Sequence, residues 1–340
     1  MSSAAQFYLT NILVFFGVDL IAVWGLNLQF GVTGIVNFAF IVLQAAGAYT
    51  AALLTLGPSS GNGGFQHYFG GTSLPFPLPL IAAGLVGAVL SALLALLTRR
   101  RLRGDYAAMV QLVVSLIATT VAQNQSGFLN GSAGLALVPA PLQSIMNLTP
   151  LGYAWFYVGL TAAVCLIALV VVRAIGQSPL GRAMRASRDN EETAASIGLD
   201  VSRIRMTAYV VGGALAGISG ALLVQYIGTW APGAWLYPET FVYFAAVIVG
   251  GRGNVLGVAI GSLLINIAIV EVTRYIPQFG PAGFIDAMQW VVIGLLIMAF
   301  LWLRPRGIVP ERARRYHLAG PAGASRTVSQ QATDRESQTS

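Results

Sequence analysis

The chain has 340 residues, 56% of them hydrophobic and only 9% charged, and its mean hydropathy is +0.72. Several apolar runs near or above 18 residues exclude a soluble globular core and describe an all-α polytopic membrane protein. The net charge of +7 is concentrated in loops between these runs, so topology explains it better than nucleic-acid binding, and the nineteen basic residues are all arginine, which excludes a Walker-type phosphate loop with its lysine.

Apolar segments are predicted at 9–28, 32–56, 78–98, 105–123, 151–172, 206–227, 239–250, 254–270 and 285–303. The first has no basic residue before it, since Arg99 is the first arginine, so it reads as a retained span rather than a signal peptide. It carries Asp19 in mid-segment with no basic partner evident in the sequence, and an acid inside a membrane is costly enough to invite a functional reading. Asn27, Gln29, Asn37 and Gln44 gather in the first helical pair, and Gln111, Gln123 and Asn124 in the fourth segment. Each buried amide needs a partner, and interhelical hydrogen bonding is weighted above substrate contact for them; the first four are nevertheless the candidates for a substrate pathway. Loops 57–77 and 124–150 carry no charge and are rich in Gly, Pro, Ser and Asn. The lone Cys165 and the separated His67 and His317 offer no ligand spacing, so neither a metal nor a cofactor is expected on this chain.

The hydrophilic stretch 173–205 holds six of the nineteen arginines and four of the twelve acids. Ser178-Pro179 predicts a helix start, with Ser as N-cap and Pro at the first position, and places Arg182 and Arg185 on one face. Asn190 is expected to cap a second short helix whose first turn holds Glu191 and Glu192, ahead of Thr193 and Ala194, and Gly198 to end it with a left-handed residue. A solvated loop serving topology alone is the bland reading; a preformed docking surface for a cytoplasmic partner is the sharper one.

Further along, the chain is expected to turn at Gly250 to Asn254, so that 239–270 is a hairpin rather than one crossing. Gly213 with Gly217, Gly253 with Gly257 and Gly257 with Gly261 are spaced for close helix packing. Glu239 and Asp286 read as interfacial acids. Arginine clusters at Arg99, Arg100, Arg101 and Arg103, in 173–205, and at Arg304, Arg306, Arg312, Arg314 and Arg315 then all face the cytoplasm, leaving Arg274 outside. The expectation is about nine transmembrane helices (eight to ten), N-terminus outside and C-terminus inside, with a transmembrane domain over 1–310 and a disordered cytoplasmic tail over 311–340.

Several stretches are, in order, similar to one family. The sequence SPLGRAMRASRDNEETAASIGLDVSRIRMTAYVVGGALAGISGALL, GLNLQFGVTGIVNF (Gly25 to Phe38), GAYTAALL (Gly47 to Leu54), LRGDYAAMVQL (Leu102 to Leu112), NGSAGL (Asn130 to Leu135), VIVGGRGNVLGVAIGSLL (Val247 to Leu264) and LRPRGIV (Leu303 to Val309) resemble LivM-type permease subunits of branched-chain amino acid ABC importers. The resemblance implies a bacterial inner-membrane permease that pairs with a second, LivH-like permease and receives solute from an extracytoplasmic binding protein. It implies two separate ATPase subunits, which use ATP and Mg and drive the cycle through the loop, with Glu191, Thr193, Ala194 and Gly198 on the family's coupling element and Arg182 and Arg185 just before it. Phe40, Leu116 and Thr119 stand where the family commonly has polar or charged groups, leaving a more apolar interior.

Other readings compete. An ion-coupled secondary transporter would use Asp19, but the Gly-rich break near 250–254 has no clear counterpart in the first half of the sequence. A membrane enzyme lacks a catalytic constellation. Permeases for amides, urea or sugars differ in cargo rather than mechanism.

Overall fold

The computed structural model describes residues 3–58, 66–98, 104–143, 148–269, 271–272 and 284–311. Among these, regular structure is helical, apart from two isolated bridges, Tyr68 with Leu129 and Leu135 with Trp230. Arg99 to Arg103, Arg274, Arg312, Arg314, Arg315, the side chain of Asp286 and the tail 312–340 lie outside the described residues.

The principal helices are α1 (Ser3–Leu26), α2 (Phe40–Thr55), α3 (Leu78–Thr98), α4 (Gly104–Asn124), α5 (Pro150–Gln177), α6 (Pro179–Asp189), α7 (Glu191–Ser196), α8 (Val201–Ile227), α9 (Pro238–Gly250), α10 (Val255–Ser262) and α11 (Phe284–Leu303). Wider π-helical turns extend α1 over Asn27–Val32 and α10 over Leu263–Ile269. Six stretches among the described residues are long and apolar enough to cross a membrane: Ser3–Val32, Leu78–Thr98, Asp105–Asn124, Pro150–Gln177, Val201–Ile227 and Pro232–Gly250. Phe40–Thr55, Val255–Ile269 and Ala287–Leu303 are shorter apolar helices.

α8 is the centre of the bundle and packs on α3, α2 and α1. Small residues let those backbones approach. A side-chain carbon on Gly217 would strike the Ala83 carbonyl oxygen and lie 3.3 Å from Gly87 Cα, and one on Gly220 would strike the Gln44 carbonyl. Gly213 meets Gly87 and Ser91 in the same way. α5, by contrast, buries only 17% of its most apolar window against 67% for α8, so it is a peripheral helix. Apolar burial supplies no helix–helix driving force in lipid, so these close backbone contacts carry the association.

Two breaks interrupt the bundle. The expected hairpin is present: α9 and α10 pack antiparallel across Gly251 to Asn254, with Gly257 against the Gly250 carbonyl and Gly261 against Ala246. The second break was not expected. Sequence reading takes 32–56 as one apolar run, whereas residues 33–39 leave the helix before α2 begins at Phe40. Gly34 has a φ of +78°, the Thr33 hydroxyl donates to the Leu28 carbonyl (2.9 Å), and Asn37 Oδ1 accepts from the Ala39 amide (3.1 Å), so local polar groups satisfy the freed backbone. The break at 250–254 therefore does have a counterpart in the first half, and it is tied to the π-helical turns leading into that counterpart: the Gly253 amide donates to Asn27 Oδ1 at 2.9 Å. That ground for setting aside an ion-coupled carrier falls.

Candidate functional site

The segments singled out in the sequence sort to two ends of the bundle. At one end the uncharged loops interlock. Leu135 and Trp230 exchange backbone hydrogen bonds (2.8 and 2.7 Å), the Gln66 side chain brackets Ala136 with one bond donated and one accepted, and Asn130 Nδ2 donates to the Gly134 carbonyl at 2.6 Å. α8 runs from there, about 40 Å at 1.5 Å per residue, to the other end, where the charged loop lies.

That loop folds as its sequence predicts. The Ser178 hydroxyl accepts from the Gly181 amide (3.3 Å) with Pro179 in the first turn of α6. Asn190 Oδ1 accepts from the Thr193 amide (2.9 Å) at the start of α7, and Gly198 follows with a φ of +86°. α6 is amphipathic: Gly181, Met184 and Ser187 are buried at a three-residue spacing while Arg182 points outward. Ala194 is the buried anchor of α7.

The arginines on this helix differ in what they do. Arg182 is exposed. Arg185 donates to the Gly176 carbonyl at 3.0 Å and lies 3.6 Å from Glu311, so it braces the loop internally. Sequence reasoning missed Arg188, which is the hub. Its Nη1 donates to the Gly31 carbonyl in the π-helical turns just before the first break (2.5 Å) and to Glu311 (3.0 Å), and its stem packs against Gly34 within the break. Glu311, assigned to the tail from sequence, is thus part of this assembly. The spacing 182, 185, 188 continues the series already noted and was the available signal.

The C-terminal segment completes the assembly. Ile308 and Val309 amides donate to the Val249 and Gly250 carbonyls (2.8 and 3.1 Å), and Asn254 Nδ2 donates to the Pro310 carbonyl (3.1 Å). Arg252 sits over the Phe30 ring at 5.6 Å. Four separate stretches, 25–38, 178–193, 247–254 and 303–311, therefore meet, and α6 is fastened to both membrane breaks. On the loop's outer side Glu191 is held by Arg205 (2.9 and 3.0 Å), whereas Glu192 and Ile197 are exposed, Ile197 at 70%. An apolar side chain that open on a charged loop has no internal role.

The intramembrane candidates divide. Gln29 accepts from Asn37 Nδ2 (2.9 Å) and donates to the Tyr209 carbonyl (3.2 Å), and Asn27 holds Gly253, so these three stabilise the first break. Gln111 donates to the Tyr209 hydroxyl at 2.6 Å, while Gln123 and Asn124 are exposed. Gln44 stands apart, in a deeper group with Tyr243 and Asp19. Glu239 is half-buried in the first turn of α9.

A model of the family described as branched-chain amino acid transport system / permease component matches residues 8–301. The chain is 29% identical over 306 residues to the high-affinity branched-chain amino acid transport system permease protein LivM of Salmonella typhimurium, covering 84% of this chain and 66% of that protein. It is 25% identical to the probable LivM of Methanocaldococcus jannaschii over 89% of this chain and 94% of the relative, and 28% identical to the probable LivH of the same organism over 84% and 86%. The chain spans 66% of the length of the Salmonella and Escherichia coli LivM proteins, just under two thirds. No solved structure matches it. The chain belongs to the family of permease components of branched-chain amino acid transport systems.

Proposed function

We propose that this chain is one of two membrane subunits of an ATP-binding-cassette importer in the bacterial inner membrane, carrying branched-chain amino acids delivered by an extracytoplasmic binding protein. The observation that carries this reading is the fastening of α6 to both membrane breaks through Arg188, Glu311 and the C-terminal strap. A push on α6 and α7 from the cytoplasm reaches the interrupted helices through hydrogen-bonded contacts rather than through a slack loop. The partner ATPases, which bind ATP and Mg, press on the exposed Arg182, Glu192 and Ile197, with Arg185, Asn190, Glu191, Thr193, Ala194 and Gly198 holding the surface in shape. A LivH-like chain is the second permease, in keeping with the likeness to both LivM and LivH proteins.

The nine apolar helices described support nine crossings with the N-terminus outside, the charged loop and residue 311 inside, and the interlocked uncharged loops on the face that meets the binding protein. Reconstitution tests the reading. The chain alone should hydrolyse no ATP and move no leucine, and uptake should appear only with ATPase subunits, second permease and loaded binding protein. Ion-driven uptake by the chain alone would sink it. Ile197→Asp should weaken ATPase stimulation by the loaded binding protein while the subunit still inserts; unchanged stimulation removes Ile197 from the docking surface.

A further inference from the structure

Between α1, α2, α9 and the π-helical turn after α10 lies a polar group that the bundle does not satisfy. The Tyr243 hydroxyl is 2.9 Å from Gln44 Oε1 and 3.3 Å from Asp19 Oδ1. It has one proton, and the shorter contact takes it, so the Asp19 carboxylate faces a lone pair there. Gln44 is 1% exposed, and its Nε2 has no acceptor among the described residues. Asn266, 8% exposed, turns its side-chain amide toward the Asp19 carboxylate, and its Oδ1 has no donor among the described residues. Phe40 stands edge-on to Tyr243 and provides an apolar wall.

Unpaired buried amides are expensive, and a membrane interior gives them no water as an alternative. Here the open valences are complementary in sign. Asp19 and Asn266 Oδ1 accept, as an ammonium requires. Gln44 Nε2 donates, as a carboxylate requires. Asp19 itself is half-buried on the surface of the subunit. We infer that Asp19, Gln44, Asn266 and Tyr243 form a mid-membrane binding site for the zwitterionic head of an α-amino acid, with the ammonium on Asp19 and the carboxylate on Gln44. The site rests on the importer reading above and assigns it specific residues.

The test uses the complete transporter in proteoliposomes, with its ATPases, second permease and leucine-loaded binding protein, and radiolabelled L-leucine as the probe. Losing a charge-assisted hydrogen bond costs enough to slow uptake by about tenfold or more, so Asp19→Asn should show that loss. ATP hydrolysis stimulated by the loaded binding protein should persist, a split that misfolding would not give. Gln44→Glu, which sets a second carboxylate against the solute's own, should show the same split. Wild-type uptake in both variants overturns the site. If Asp19→Asn does not assemble, Asn266→Leu decides: lost uptake with retained hydrolysis supports the site, and unchanged uptake overturns it. Leucine uptake driven by a pH gradient without ATP, and abolished by Asp19→Asn, would make Asp19 a proton carrier and overturn the site. A wild-type complex that imports no leucine with ATP overturns the importer reading itself, whatever the variants do.

Discussion

Arg188 lies on a loop rich in arginine, where charge alone would predict a solvated side chain. Its guanidinium instead reaches the Gly31 carbonyl and Glu311, with a quarter of each charged side chain still exposed. A charged donor on a carbonyl contributes about 1.5–3 kcal/mol, whereas an ion pair this exposed contributes about 1 kcal/mol or less. Arg188→Ala should therefore destabilise the purified subunit by about 2–3 kcal/mol and Glu311→Gln by about 1 kcal/mol or less, as read from thermal unfolding in detergent. The reverse order would mean that the ion pair, and not the carbonyl contact, fastens the loop. Sequence spacing found Arg182 and Arg185 because an i, i+3 series marks a helix face. It could not say which member of the series meets another part of the chain, since Gly31 is 157 positions away. Gln44 shows the same limit. It was grouped with Asn27, Gln29 and Asn37 by proximity in sequence, but the break after Val32 separates its partners from theirs.

Among the elements, those with local causes were legible. Ser178, Asn190 and Gly198 each act within three or four residues of themselves, so their capping roles could be read directly. Asn190→Ala should cost about 1 kcal/mol and raise amide exchange across α7 while leaving α6 protected; uniform exchange over both helices would deny them separate caps. The break at 33–39 was illegible for the opposite reason. It contains no proline, sits in an apolar run, and is held partly by Asn27 accepting from Gly253 in a distant hairpin. Glycine spacing picked out Gly213, Gly217, Gly257 and Gly261, all four of which lie close against neighbouring backbone, but not the partners they meet, such as Gly87 and Ala83. On α8, Gly217 lies against Ala83 and Gly87, whereas Gly159 on the peripheral α5 has nothing within 4 Å. Gly217→Ala should thus destabilise by about 1–3 kcal/mol through overpacking, and Gly159→Ala should be neutral or gain up to about 1 kcal/mol of helix propensity. Equal Tm changes would show that α8 does not pack as closely as described.

For the whole molecule, the question is which end faces the cytoplasm. The proposed orientation puts the arginine-rich end inside, because arginines in short loops are retained on the inner side. The fold adds a consistency requirement: every charged stretch described, 178–205 and 304–311, gathers at one end, and the uncharged loops at the other. A single inverted or missing crossing between them would separate groups that hydrogen-bond to one another, so the orientation can be tested at one point per end. The chain's single cysteine makes this practical. Cys165 lies within α5 and donates to the Gly17 carbonyl at 3.0 Å, a bond that Cys165→Ser can keep. In that background Leu137→Cys places a thiol at a position 76% exposed on the uncharged end, and Ile197→Cys one 70% exposed on the loop. A membrane-impermeant maleimide should label the residue-137 thiol in intact cells and the residue-197 thiol only after the inner face is opened in inverted vesicles. The reverse pattern would place the charged loop outside, where no ATPase could reach it, and overturn the proposed coupling role. Labelling of both thiols from one side would break the alternation of helices between the two ends and, with it, the mechanical path from α6 to the membrane breaks.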